Sequence, residues 1–115
     1  MREWRQKRPC VYIMASKRDG VLYTGVTSAL EDRVSIHKQN LVDGFTKKYG
    51  IHRLVYYEFH ESMPEAILRE TRIKKWKRAW KVRHIHSMNP EWLDLFDEKN
   101  GTILDGPSDS ERWKD

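Results

Sequence analysis

Four side chains in the first third of the chain could act together on an anionic group. Tyr12 and Tyr23 sit in two apolar runs, within the stretch VYIMASKRDGVLYTGVTS, and Arg33 and His37 follow a few residues later. A guanidinium presents a planar fork of donors that clamps a phosphate at two points. A phenol has a reference pKa of about 10, so it serves as a base only where a nearby cation lowers that value. An imidazole, at about 6.5, suits proton transfer near neutral pH without help. A fifth residue, Glu70, lies much later. At about 100° per residue it falls within the arc made by Ala66, Ile67, Ile73, Trp76 and Trp80. A carboxylate on a core-facing side is costly unless it is paired or binds a cation. One reading is an ion pair with the basic neighbours, of which Arg69 and Lys77 fall near the same arc, and spacing alone favours it. The other is a hard-metal ligand, since one carboxylate plus water and a substrate phosphate is a common way to hold Mg²⁺. The remaining residues also have ordinary structural roles open to them. Tyrosines are good strand formers, an arginine is most often solvated, and Trp76 and Trp80 suit a core better than a base-stacking platform.

The elements that must position these groups can be read from patterning. Residues 10–16 and 21–27 read as strands around Asp19-Gly20, a hairpin signal. A two-residue loop there sets Tyr12 opposite Thr27 and puts both tyrosines on one face; a three-residue loop reverses the parity. Ser28 and Glu31 form a capping-box pattern that starts a helix over about 29–40. Arg33 and His37, four apart, project from one side of it. Residues 40–50, with Gly44 and the basic pair Lys47 and Lys48, read as a loop, and 52–60 as a third strand. Ser62 and Glu65 repeat the capping box, with Pro64 in the first turn. The helix that follows runs to around Trp76, and helical sequence continues, broken or not, to Met88. Asn89-Pro90 ends it. PEWLDLF predicts a last short helix that packs Trp92, Leu95 and Phe96. Residues 1–8 form a basic extension, 9–97 the domain, and 98–115 a tail of disordered composition. The order β-β-α-β-α-α describes a small α/β (α+β) domain on an antiparallel sheet.

At 115 residues the prior is a single domain with a modest core. No apolar run is long enough to cross a bilayer. The basic start MREWRQKRP lacks the apolar segment of a signal peptide. One cysteine, Cys10, excludes an internal disulfide or a cysteine zinc cluster, reads as a small buried hydrophobe, and makes a reduced, cytoplasmic setting the default. The net charge is +5. Its distribution is more informative than its size, because RETRIKKWKRAWKVR at 69–83 concentrates the positive charge while the end of the chain is neutral to acidic. Lys74, Lys75, Lys77, Arg78 and Lys81 point in several directions around a helix, so only a subset can touch one polyanion. No helix-turn-helix or zinc-finger pattern is present, so phosphate and shape contacts are the expected mode of binding.

The order of the chemical residues resembles one family. Cys-Val-Tyr at 10–12, Tyr-Thr-Gly at 23–25, Arg33 and His37 on the next helix and Glu70 on a later one resemble the GIY-YIG nucleases. Cys10 and Val11 stand where the first signature has Gly and Ile, and Thr24 replaces the central Ile of the second. GVLYTGVTSALEDRVSIHK is similar to the small stand-alone members called URI-domain proteins. The resemblance covers about Pro9 to Phe96. It implies a three-stranded antiparallel sheet flanked by helices. It also implies metal-dependent endonucleolytic hydrolysis of a nucleic-acid phosphodiester, DNA before RNA, with one Mg²⁺ or Mn²⁺ on Glu70. Tyr12, Tyr23, Arg33 and His37 would be the catalytic set, with Tyr12 and His37 rival bases. Gly25 would allow close approach of backbone or substrate, and Lys47, Lys48, Lys74, Lys77 and Arg78 would contribute phosphate contacts. A non-catalytic nucleic-acid-binding module of the same fold is the competing reading, and a basic helix that binds an acidic protein a third. A place in repair or recombination follows from family analogy alone.

Overall fold

The computed structural model describes residues 8–39 and 44–104. Three antiparallel strands form the central sheet: β1 (Cys10–Ala15), β2 (Leu22–Thr27) and β3 (Arg53–Phe59), in the order β2-β1-β3. β1 is apolar throughout and wholly buried because it is the middle strand, flanked on both edges and covered on both faces. Helices α1 (Leu30–Lys38), α2 (Gly44–Tyr49), α3 (Met63–Lys74) and α4 (Arg78–Met88) flank the sheet. A small hairpin of β4 (Phe96–Asp97) and β5 (Thr102–Ile103) follows. This is the expected three-stranded α+β architecture. Among the described residues, no helix is long and apolar enough to cross a membrane.

The β1–β2 register departs from the two-residue expectation by two places. Tyr12 pairs with Gly25, not Thr27, because the connection is a four-residue loop closed by Ser16 N–H to the Val21 carbonyl, with Asp19 at φ 59°. An even change in loop length preserves parity. Tyr12 and Tyr23 therefore do share a face, as diagonal neighbours across the ladder.

Four local expectations are corrected. The Ser28/Glu31 capping box does not form: Ala29 is the N-cap, its N–H donates to Thr27 Oγ1, and Glu31 accepts from Ile103 N–H in β5. Ser62 does cap α3, accepting from Glu65 N–H at 3.3 Å. Part of the expected 40–50 loop is helix α2, stopped by Gly50 at φ 63° with Ile51 N–H returning to the Thr46 carbonyl. PEWLDLF is not helical. The buried Asn89 side chain donates to the Leu93 and Val55 carbonyls and accepts from Leu93 N–H, and Trp92 sits at φ 57°. Asp94 Oδ1 likewise takes Leu54 N–H and Phe96 N–H. These side chains satisfy backbone groups that a helix would otherwise pair. Trp92, Leu95 and Phe96 are nonetheless core residues, as expected. Residues 98–104, expected in the tail, turn back and form β5, where Leu104 N–H bonds the Leu95 carbonyl. Residues 1–7 and 105–115 of the expected extension and tail lie outside the described residues.

Helical sequence does break between α3 and α4, at Lys75–Lys77. Ala66 and Ile73 are buried, whereas Ile67 and Trp80, assigned to the same arc, are about half exposed. The arc is narrower than the periodicity suggested: Ile67 lies at its edge on α3, and α4 starts a new axis, so Trp80 no longer shares the phase of α3.

Candidate active site

Tyr12 stands in the middle of the central strand and is 1% exposed, so its hydroxyl has few partners and each matters. Leu30, Val34 and His37 form the buried stripe of α1 and press that helix onto the tyrosine face of the sheet. The stripe carries His37 Nε2 to 3.1 Å from the Tyr12 hydroxyl. One turn earlier, Arg33 donates through Nε to the same hydroxyl at 3.4 Å. The i, i+4 relation expected from sequence thus places a base and a cation on one phenolic oxygen. Tyr23 completes the group, its ring 6.3 Å from Tyr12 and 5.2 Å from His37.

Burial pushes the Tyr12 phenol up to about 12, although its hydrogen bond from Arg33 pulls the other way. Arg33 is held more firmly in its charged form, chiefly by that hydrogen bond and also by Tyr23. A tyrosine in this setting stays protonated near neutrality, and its proton can pass to His37 when the imidazole presents a bare Nε2.

Gly25 has a specific reason to lack a side chain. A Cβ there would lie 2.5 Å from both Cζ and the hydroxyl of Tyr12. The close approach expected of backbone or substrate is made by the Tyr12 ring itself, across the strand pair.

Glu70 lies between Ala66 and Ile73 on the inward side of α3, and its side chain is 14% exposed. Among the described residues its carboxylate pairs with Lys74 Nζ at 2.8 Å, one helical turn away. The ion pair favoured by spacing is therefore present, with Lys74 as the partner in place of Arg69 or Lys77. Arg69 instead grips Glu58 on β3 through Nε at 2.8 Å and Nη2 at 3.3 Å. Tyr56 and His60 also hold Glu58, each at 2.6 Å. Glu58 and Tyr56 oppose Val11 and Ile13 across the ladder, so the Arg69 contact of α3 is made on the face opposite Tyr12. Burial pushes the Glu58 carboxyl up, and the bonds from Arg69, Tyr56 and His60 outweigh it, leaving the group below its usual range. The structure therefore gathers Tyr12, Tyr23, Arg33 and His37, and holds Glu70 separately on a helix that runs beside β2 and β1.

Among the described residues, no group of three or more histidine, cysteine, aspartate or glutamate side chains could hold a metal by itself. A single hard oxygen ligand fits a Mg²⁺-like ion that takes its other ligands from water and a substrate phosphate. Glu70 is compatible with that arrangement once Lys74, half exposed, swings aside.

The expected phosphate contacts are scattered. Lys47 and Lys48 are exposed on α2. Lys74 is engaged by Glu70, Lys77 is the N-cap of α4, and Arg78 donates to the Gly20 carbonyl at 2.7 Å, tying α4 to the β1–β2 loop. Lys81 is pushed below its usual range by burial and then by the charges of Arg78 and Lys74. Cys10 is buried, and burial raises its thiol to about 12, consistent with an inert strand residue. Two aromatic residues that sequence reading passed over lie on α2: Phe45 adjoins Tyr23, and Tyr49 adjoins Phe45. The signal was available: Lys47-Lys48 followed by Gly50 is a helix stop.

Residues 8–83 match the model of the GIY-YIG catalytic domain, a span that includes all five expected catalytic positions. A UPF0213 protein of Clostridium perfringens is 43% identical over 77 residues, covering 67% of this chain and 82% of the relative. A UPF0213 protein of Staphylococcus haemolyticus is 39% identical over 75 residues, covering 65% and 90%. The solution NMR structure of a UPF0213 protein from Bacillus halodurans is 30% identical, covers 66% of this chain and 80% of that one, and superposes with a TM-score of 0.41.

Proposed function

The chain belongs to the GIY-YIG nuclease family, and on that premise we propose that it is a divalent-metal-dependent endonuclease that hydrolyses phosphodiester bonds, in DNA before RNA. The observation that carries the reading is the Tyr12 hydroxyl held between Arg33 Nε and His37 Nε2. Attack on a phosphodiester needs a cation on the phosphate, a sink for the water proton and support for the leaving oxygen. Arg33 seats the phosphate. Water attacks phosphorus as its proton moves to the Tyr12 oxygen and the Tyr12 proton moves to His37 Nε2. The P–O bond to the 3′ or 5′ oxygen breaks, and that oxygen is reprotonated from solvent. A relay suits a phenol that burial keeps protonated better than a free phenolate does. Tyr23 orients water or phosphate beside Tyr12. Glu70 would hold one Mg²⁺ or Mn²⁺ ion, whose charge polarises a phosphoryl oxygen and stabilises the leaving oxygen. Lys47, Lys48, Lys74, Lys77 and Arg78 supply candidate contacts to flanking phosphates. The setting we infer is the cytoplasm, with a role in repair or recombination by family analogy.

One observation favours a binding module without cleavage: the Glu70 carboxylate is already paired with Lys74. Incubating the protein with branched, nicked, single-stranded and duplex DNA under Mg²⁺, Mn²⁺ or EDTA separates the two readings. The nuclease reading expects metal-dependent products from wild type and none from Glu70→Gln, with the fold of the variant intact by circular dichroism. A variant that cuts at the wild-type rate overturns the metal assignment. A variant that unfolds makes the Glu70–Lys74 pair structural.

A further inference from the structure

The ring cluster does not stop at the buried site. Tyr23 lies 6.4 Å from Phe45 at 35°, and Phe45 lies 5.0 Å from Tyr49 at 54°. A continuous file of rings therefore runs from Tyr12 and His37 through Tyr23 to the outer side of α2. Its two outer members are 45% and 44% exposed. The buried Thr46 and the turn at Gly50, which returns Ile51 N–H to Thr46, also hold α2 in place. Single exposed apolar side chains are ordinary. Two neighbouring aromatics, continuous with an anion-binding site and sharing their helix with Lys47 and Lys48, form a surface of defined chemistry. Lys48 Nζ lies 5.4 Å from the Tyr49 ring centroid, so positive charge stands beside the ring pair.

We propose that α2 is a stacking platform for unpaired bases that flank the phosphate seated at Arg33, which makes the preferred substrate single-stranded or locally unpaired nucleic acid. The inference rests on the nuclease reading and deepens it. A base inside a duplex has both faces covered by its neighbours and cannot offer one to Phe45. An unpaired base can, and because every base has a π-face the contact tolerates any sequence. Lys48, whose Nζ stands over the Tyr49 ring, then meets a phosphate next to a stacked base, and Lys47 adds charge to the same helix.

Binding in EDTA tests this without cleavage. The probes are a labelled oligothymidylate, an abasic oligomer with the same number of phosphates, and a duplex of the same length. Wild type should bind the oligothymidylate about ten-fold or more tighter than the abasic oligomer, the size expected of base–aromatic stacking. Phe45→Ala with Tyr49→Ala should erase that ratio and leave the salt dependence unchanged. Phe45→Leu with Tyr49→Leu, which keeps apolar bulk without a ring, should erase it too, while Tyr49→Phe should keep it. The leucine and phenylalanine variants decide the matter if the alanine pair does not fold. Equal binding of the thymidylate and abasic oligomers, or a ratio that survives the leucine pair, overturns the platform and leaves the nuclease reading standing. Failure to bind any oligomer at low salt overturns both. A protein that dimerises through Phe45 and Tyr49, and becomes monomeric in the alanine pair, overturns the platform by giving those rings another occupant.

Discussion

The proposed chemistry turns on one oxygen. The Tyr12 hydroxyl is buried, faces a base at 3.1 Å and a guanidinium at 3.4 Å, and is pushed up to about 12. Such a group is a poor free base and a good conduit. Tyr12→Phe removes the oxygen while keeping the ring that fills the space over Gly25, and Arg33→Ala removes the charge proposed to seat the phosphate. Each should lower the single-turnover rate by about 10²-fold or more, as for general acid–base catalysis, while substrate binding changes only a few-fold. Rates measured with saturating enzyme check this. Unchanged rates with weakened binding would make Arg33 an ordinary phosphate contact, and an unaffected Tyr12→Phe would leave His37 as the base acting directly on water.

Two element-scale contacts hold the sheet in the shape the site needs. The first is the pairing of Tyr12 with Gly25 across β1 and β2. Gly25→Ala puts a methyl group 2.5 Å from Tyr12 Cζ and hydroxyl, so the ring must shift from the position in which its hydroxyl meets Arg33 and His37. Overpacking of this kind costs about 1–3 kcal/mol. Stability measured by urea titration should fall within that range, and activity should fall further than the stability loss explains. A fully active Gly25→Ala would show that the ring position is slack. The second contact is Glu58, which clips β3 to α3 through Arg69. Its carboxyl is held below the ordinary value of 4.5, so its contribution is present above that value and is lost as pH falls through the folded pKa. Glu58→Gln should therefore cost about 1–3 kcal/mol at pH 7. Its deficit relative to wild type should shrink at pH 3. A deficit that stays constant between the two pH values would mean that the cost is steric and not ionic.

At the scale of the whole molecule, the charge is unevenly spent. Of the positive block in 69–83, Arg69, Lys74 and Arg78 already have partners within the protein, so the block is less available to a polyanion than its composition suggests. Lys47 and Lys48 are exposed on α2, the helix that carries the outer rings of the aromatic file, and Lys48 Nζ stands 5.4 Å from the Tyr49 ring. Each phosphate contact releases counterions, and log K falls by about 0.9 per contact with log salt on B-form duplex and about 0.7 on a single strand. Neutralising Lys47 or Lys48 should reduce that slope by close to one contact on unrelated sequences alike. Neutralising Arg69 should leave it unchanged. Binding of Glu70→Gln to two oligomers of different sequence across a salt series reads the slopes directly. If the Lys47 and Lys48 variants keep the wild-type slope, α2 is not the nucleic-acid face, and an acidic protein partner becomes the better explanation of the charge.

Much of this was determined by the sequence by itself, because it rests on local rules. Strand periodicity, the Asp-Gly turn, the Ser62 cap and the i, i+4 spacing of Arg33 and His37 depend on neighbours along the chain, and the ordered set Tyr12, Tyr23, Gly25, Arg33, Glu70 carried the family. Tertiary structure decided what depends on distant partners. The loop after Ala15 closed at four residues, which changed the partner of Tyr12 while even parity kept its face. Ser28 lost its capping role because Thr27 took Ala29 N–H and β5 took Glu31, a partner 72 residues away. Asn89 and Asp94 turned a helix-like stretch into a loop by bonding backbone on β3, beyond the reach of any window on the sequence. The partner of Glu70 was undetermined by helical phase, which placed several cations near it; packing gave Arg69 to Glu58 and left Lys74. Gly25 reads in sequence only as a break in a strand. That the break exists to admit the Tyr12 ring follows from the register, and the register is fixed only when the strands meet.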